Sequence, residues 1–156
     1  MRRRWLLIAS SVVVCDQITK WLAVRNLTGR SLTVIPSFFD LVLVHNTGAA
    51  FGFLNDAGGW QNVFFVVVAA LVSLVLVFML GRVGSDDKVS GWALALILGG
   101  AIGNVIDRLW LGYVIDFVDW YVGRWHWPAF NIADAAITVG AALLVLEAVG
   151  VRDRRN

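Results

Sequence analysis

Apolar residues in this chain arrive in long runs separated by short polar stretches. The clearest is NVFFVVVAALVSLVLVFML, residues 62–80, which holds no ionisable side chain. A helix rises about 1.5 Å per residue and a bilayer core is about 30 Å thick, so roughly 20 apolar residues cross it. A run this long and uncharged is poorly explained as a buried helix of a water-soluble domain. Three further runs read the same way, predicting membrane-spanning helices over residues 5–24, 62–80, 92–109 and 131–150. The expected fold class is an all-α membrane protein of four transmembrane helices, one domain over residues 1–156.

Two polar segments interrupt that pattern. Residues 25–60 contain SLTVI and FFDLVLVH, separated by Pro36 and rich in β-branched and aromatic residues, which predicts short strands. Gly48, Gly52, Gly58 and Gly59 then permit turns. Unpaired strand edges cannot face lipid, so a small extracytoplasmic β-sheet lying on the membrane surface is expected. Residues 110–128 are aromatic and carry Asp116, Asp119, Arg124 and His126, without a clear element.

The basic residues set an orientation. Arg2, Arg3 and Arg4 precede the first span, Arg82 and Lys88 lie between the second and third, and Arg152, Arg154 and Arg155 follow the fourth. The positive-inside rule places both termini and the 81–91 loop in the cytoplasm. Trp5 and Trp92 then fall at the inner interface, and Trp21, Trp60, Trp110, Trp120, Trp125 and Trp127 at or beyond the outer ends.

Composition agrees: 59% of the 156 residues are hydrophobic and 15% charged, against about a quarter charged in soluble domains. The net charge of +2 does not indicate nucleic acid, because the basic residues sit at span ends rather than on one polar face. Cys15 is the single cysteine, which excludes an internal disulfide, and it is expected to pack as a small apolar residue within its helix. MRRRWLLIASSVVVC resembles a signal peptide or a lipoprotein precursor's start. Val14 before Cys15 is not small, however, and the apolar pattern continues to Val24, so a retained first helix is expected.

Charges inside spans cost at least about 2.5–3.5 kcal/mol each and need a partner or a purpose. Asp16 and Lys20 stand four apart on one helical face, as an ion pair would, with Gln17 and Thr19 beside them. Gly99 and Gly103 form a small-xxx-small pair that lets helices approach closely. Asn104, Asp107 and Arg108 share one face, either as a local Asp–Arg pair or with the Arg108 guanidinium free for an anionic group. Asp116 lies in VIDF and Asp134 in FNIADAAI, both at the outer end of the bundle. Asn131 is placed to cap the fourth helix with Asp134 in its first turn, a purely structural role. The alternative is chemical: two carboxyls in a low-dielectric site cannot both ionise easily, so one acts as base while the other keeps a proton. Such a pair can activate water and protonate a leaving amine.

Other chemistries find little support. There is no HExxH, paired histidine or cysteine cluster for a metal, and His45 and His126 are isolated. No GxSxG elbow, P-loop or dinucleotide fingerprint occurs. A small transporter or proton-conducting subunit is disfavoured because the second span has no ionisable residue. A lipid-modifying membrane enzyme would need several metal-binding carboxylates on one face, a spacing that is not evident.

Five blocks, in order, resemble the lipoprotein signal peptidases, or signal peptidase II: DQITK at 16–20, NTGAAFG at 46–52, GNVIDR at 103–108, VIDF at 114–117 and FNIAD at 130–134. The resemblance covers nearly the whole chain and implies an aspartic endopeptidase of the bacterial cytoplasmic membrane. Its substrate class is the diacylglyceryl-modified prolipoprotein, cut immediately before the lipidated cysteine. Asp116 and Asp134 match the catalytic pair. Asn104 and Asn131 match polar residues lining the site. Asn46 and Arg108 match residues involved in substrate positioning, with Gly48 of the same motif in the site-lining group. Asp16 and Lys20 match a motif credited with structural support. The resemblance further implies sensitivity to the cyclic peptide globomycin; a monomer in contact with membrane lipid, without metal or organic cofactor, is expected.

Overall fold

The computed structural model describes residues 2–48, 59–84 and 87–153. Residues 49–52 of the second motif, with Gly58, Arg154 and Arg155, lie outside them. Four helices, α1 (Arg2–Leu27), α2 (Trp60–Leu80), α3 (Lys88–Trp110) and α4 (Ile132–Asp153), are joined by four strands. All four helices are long and apolar enough to cross a bilayer. The helices outrun the apolar runs at several ends. Past the end of α1, Thr28 Oγ1 donates to Val24 O at 2.6 Å and Arg30 N to Leu27 O at 3.1 Å, which satisfies two of the last carbonyls.

Helix α3 occupies the centre and packs against the other three. Half of its span (50%) is buried within the protein, against 11% for α2, whose side chains therefore face lipid. Glycines make this closeness possible. A Cβ on Gly99 would lie 2.6 Å from Ala9 O, and one on Gly103 would lie 2.6 Å from Asp16 Oδ2. Both thus face α1 as the spacing predicts, while Gly100 faces α4 and touches Ala133 and Ile137. At the other end of the bundle Trp5 is 2% exposed, packed with Ala9, Leu76, Leu80, Leu94 and Leu98. It is a core residue rather than an interfacial one, and its ring presses on Gly91 and meets Trp92 edge-on at 6.3 Å. Cys15, expected to pack inside, is exposed on the surface of α1.

Strands β1 (Leu32–Ile35), β2 (Phe39–Asn46), β3 (Val114–Val122) and β4 (Trp125–His126) form one antiparallel sheet in that order. The sequence placed a sheet in residues 25–60 only. In the fold that segment supplies β1 and β2, and the 110–128 segment completes the sheet with β3 and β4. The pairing sets Val44 opposite Asp116 and Asn46 opposite Val114. β3 begins buried (Val114 to Phe117) and ends partly exposed. Phe130 docks on it, accepting from Val118 N at 2.9 Å and donating back to Val118 O at 3.1 Å. That bridge brings the start of α4 beside Asp116.

Candidate active site

Asp116 sits on β3 and Asp134 in the first turn of α4. Asn131 joins them. Its Nδ2 donates to Asp116 Oδ1 at 2.7 Å, and its backbone N donates to Asp134 Oδ2 at 3.3 Å. Asn131 Oδ1 accepts from Asp134 N at 2.9 Å, so Asn131 and Asp134 form a reciprocal cap on α4. The other oxygens are held by amides from two further elements. Asn46 Nδ2 on β2 donates to Asp116 Oδ2 at 2.9 Å, and Asn104 Nδ2 on α3 donates to Asp134 Oδ1 at 2.8 Å.

Asp116 is 2% exposed. Burial, and then the negative charge of Asp134, push its pKa up to about 7, although the Asn46 and Asn131 amides act against this. Asp116 therefore keeps a proton through conditions that ionise an ordinary aspartate.

All nine residues singled out from the sequence fall in one hydrogen-bonded network. Lys20 Nζ reaches Asp16 Oδ2 at 2.8 Å, as the spacing of four predicts, and Asn104 Oδ1 at 3.0 Å. Asn46 Oδ1 accepts from Gly48 N at 3.0 Å, and Gly48 O accepts from Arg108 Nη2 at 3.0 Å. The local Asp107–Arg108 pair does not form. Asp107 turns to Lys20 at 2.8 Å, and also accepts from Gln17 Nε2 at 2.9 Å and Ile115 N at 3.1 Å. Arg108 lies over the Phe65 ring, and its Nε is buried with no partner among the described residues. His126 pairs with Asp119 at 2.9 Å, and His45 lies against Tyr113; neither joins the network.

A cavity of about 590 Å³ opens beside the pair. Asn46, Asn104, Arg108 and Asp134 give it one polar wall, while Trp120, Trp127, Phe130, Ile137 and Val139 supply apolar ones. Asp116 adjoins this polar wall through its hydrogen bond from Asn46. The roles of Trp120 and Trp127 in this wall were not visible in the sequence, where both read as interfacial anchors. The described residues hold no group of three or more His, Cys, Asp or Glu placed to bind a metal ion.

A buried carboxyl pair of this kind, held by amides at the end of a helix bundle, is the equipment of a membrane-embedded acid–base hydrolase. A family model described as signal peptidase (SPase) II matches residues 8–150. Similar proteins include the lipoprotein signal peptidases of Cupriavidus taiwanensis (52% identical over 143 residues, 92% of this chain and 81% of that protein) and Paraburkholderia phymatum (52%, covering 92% and 86%). That of Burkholderia mallei is 50% identical, with coverage of 92% and 86%. Among solved structures, a bacterial membrane enzyme determined in meso at 2.3 Å resolution superposes with a TM-score of 0.86 at 31% identity, covering 98% of this chain and 92% of that one. A second, at 1.9 Å, gives 0.79 at 32% identity, covering 93% and 92%. The chain belongs to the signal peptidase II family, and it is a multi-pass membrane peptidase.

Proposed function

We propose that Asp116 and Asp134 are the catalytic pair with which this peptidase removes the signal peptide from diacylglyceryl-modified prolipoproteins, cutting before the lipidated cysteine. The observation that carries this reading is the bridge through Asn131, which donates to both carboxyls and holds them at one end of the bundle beside a largely apolar cavity. One carboxylate takes a proton from water as its oxygen attacks the scissile carbonyl. The neutral carboxyl supplies the proton that the developing oxyanion requires. Collapse of the tetrahedral species breaks the C–N bond and protonates the amine.

The cavity suits such a substrate. Its apolar walls accommodate side chains next to the cleaved bond, and its position at the end of the spans meets a bond that an acyl-bearing cysteine holds near the headgroup level. Arg108 is anchored at Gly48 O by one nitrogen and lines the cavity, where its guanidinium suits a substrate carbonyl. Asn104 and Asn131 hold the carboxyls, and Asn46 and Gly48 position Arg108 and Asp116. Asp16 and Lys20 tie α1 to this end of α3 and α4. We assign the enzyme to the bacterial cytoplasmic membrane as a monomer, with both termini cytoplasmic and the pair near the extracytoplasmic face. The basic residues at one end of the spans support this orientation. Globomycin is expected to occupy the same cavity.

The test is cleavage of a lipidated precursor by purified Asp116→Asn and Asp134→Asn. Each is expected to insert, fold and show no cleavage, with the unlipidated precursor left uncut by the unmodified enzyme. Substantial cleavage by either variant would remove the dyad assignment.

A further inference from the structure

The two carboxyls are not equivalent. Asp116 receives two neutral amide donors on a strand. Asp134 lies in the first turn of a helix, at the positive end of its dipole, and receives the Asn131 backbone N–H and the Asn104 amide. Behind Asn104 stands a buried cation. Lys20 is 2% exposed, and its ammonium has three hydrogens for three acceptors: Asp16, Asp107 and Asn104 Oδ1. Two carboxylates already neutralise it, and its third bond goes to the amide that donates to Asp134.

Resting on the catalytic reading above, we propose that Lys20, acting through Asn104, makes Asp134 the ionised member of the pair and leaves Asp116 as the proton carrier. Asn104 admits one orientation. Its Oδ1 accepts from Lys20 Nζ at 3.0 Å and Asn131 Nδ2 at 3.2 Å, so its Nδ2 faces Asp134. Reversal would set NH₂ against the ammonium and against a second NH₂, and an oxygen against a carboxylate. The relay Nζ–H···O=C–N–H···O⁻ therefore runs one way, and a cation at its head polarises the amide toward Asp134.

The surrounding charges agree. Asp134 faces Arg108 of α3 and Asp116 of β3, with Lys20 and Asp16 of α1 behind Asn104 and Ala133. Lys20 faces Asp16 on its own helix and Asp107 on α3, with Gln17 bonded to both carboxylates. Lys20 is bonded to Asp16 and Asp107, and Arg108 is the cation that faces both Asp134 and Asp116. Asp116, the less exposed of the two, is pushed up to about 7 by its burial and by the negative charge of Asp134. In turnover Asp134 takes a water proton while the C–O bond forms, and Asp116 protonates the carbonyl oxygen. On collapse the C–N bond breaks, Asp134 returns its proton to the nitrogen, and the diol returns one to Asp116. The pair ends as it began.

Lys20 is thus a positioning residue, and its signature is a pH profile. For Lys20→Met, the acid limb of the bell-shaped kcat/KM profile on a lipidated precursor is expected to move up by about one pH unit, an about tenfold loss on that limb, with the alkaline limb set by Asp116 unmoved. Lys20→Arg restores the charge and most of the profile. Lys20→Met combined with Asp107→Asn removes one charge of each sign and is expected to show the same displacement if the single variant fails to fold. In the wild type, carbon-13 NMR of labelled aspartates at about pH 6 reads the assignment directly, with the protonated carboxyl expected on Asp116. A proton on Asp134, or Lys20 variants that lower the melting temperature with an unmoved profile, overturns the proposal. That outcome leaves the catalytic reading standing, which only cleavage by Asp116→Asn or Asp134→Asn removes.

Discussion

Replacing Asp116 by asparagine separates the energetic cost of the pair from its chemistry. In the unfolded chain this carboxyl ionises near 3.8, and in the fold it is pushed up to about 7. Between those values the unfolded chain binds fewer protons than the fold, so stability falls as pH rises and levels off above about 7. At about 1.4 kcal/mol per tenfold in proton affinity, the penalty is roughly 1.5 kcal/mol at about pH 5 and roughly 4 kcal/mol at about pH 8. Asparagine cannot ionise and escapes this penalty at every pH. It does present an NH₂ to one of the two amide donors, Asn46 or Asn131, at a cost of about 1–3 kcal/mol. The neutral acid suffers a similar mismatch through its O–H, so that cost does not change with pH.

Asp116→Asn is therefore expected to gain roughly 2–3 kcal/mol on the wild type between about pH 5 and pH 8. At about 2–4 °C per kcal/mol for a chain of this size, the melting-temperature difference should widen by roughly 5–10 °C. Thermal unfolding of both purified proteins in the same detergent, followed by circular dichroism across that pH range, measures it. A difference that stays constant with pH, or one that turns against asparagine as pH rises, would show that Asp116 is not held above its ordinary range.

Two other expectations follow from the geometry. Gly100→Leu drives a side chain into Ala133 and Ile137, parts α3 from α4 and separates Asn104 from Asp134; it should cost about 1–3 kcal/mol and abolish cleavage, whereas Gly150→Ala, with nothing within 4 Å, should leave melting temperature and cleavage unchanged. Treatment with EDTA should leave cleavage of a lipidated precursor intact, because the proposed chemistry runs on two carboxyls and water; a loss restored by added metal would refute this.

What the sequence made legible was local. Spans follow from apolar runs, the Asp16–Lys20 pair from a spacing of four, and the Asn131–Asp134 cap from a spacing of three. Contacts between distant segments were not legible by pattern. Nothing near Val114–Val122 signals that it pairs with Phe39–Asn46, because VIDF is flanked by apolar residues without strict alternation. Asp107 and Arg108 are neighbours, and local reasoning offered them to each other. The fold gives Asp107 to Lys20, because residues 104 and 107 turn toward α1 while Arg108 turns toward Gly48. Trp120 and Trp127 read as interfacial anchors on composition, yet Phe130 docking on β3 draws them to the cavity wall. The five blocks identified the family because they record these long-range pairings in their order.

The structural and chemical readings of Asp134 are not rivals. As a capping residue, it has its orientation fixed by the α4 N-terminus and by Asn131, so no separate scaffold is needed to aim it. The same Asn131 reaches back to Asp116 and ties the cap to the sheet. Folding α4 against β3 therefore assembles the pair in the same step. The helix end stabilises one carboxylate, while burial on the sheet keeps the other protonated. On the proposed reading, the asymmetry that divides acid from base has two sources: Lys20 acting through Asn104, and the placement of one partner at a helix terminus and the other in mid-strand. Stability lost at Asp116 and stability gained at the Asn131–Asp134 cap are two sides of that single junction, so a substitution that relaxes the strand side is expected to cost the pair its proton.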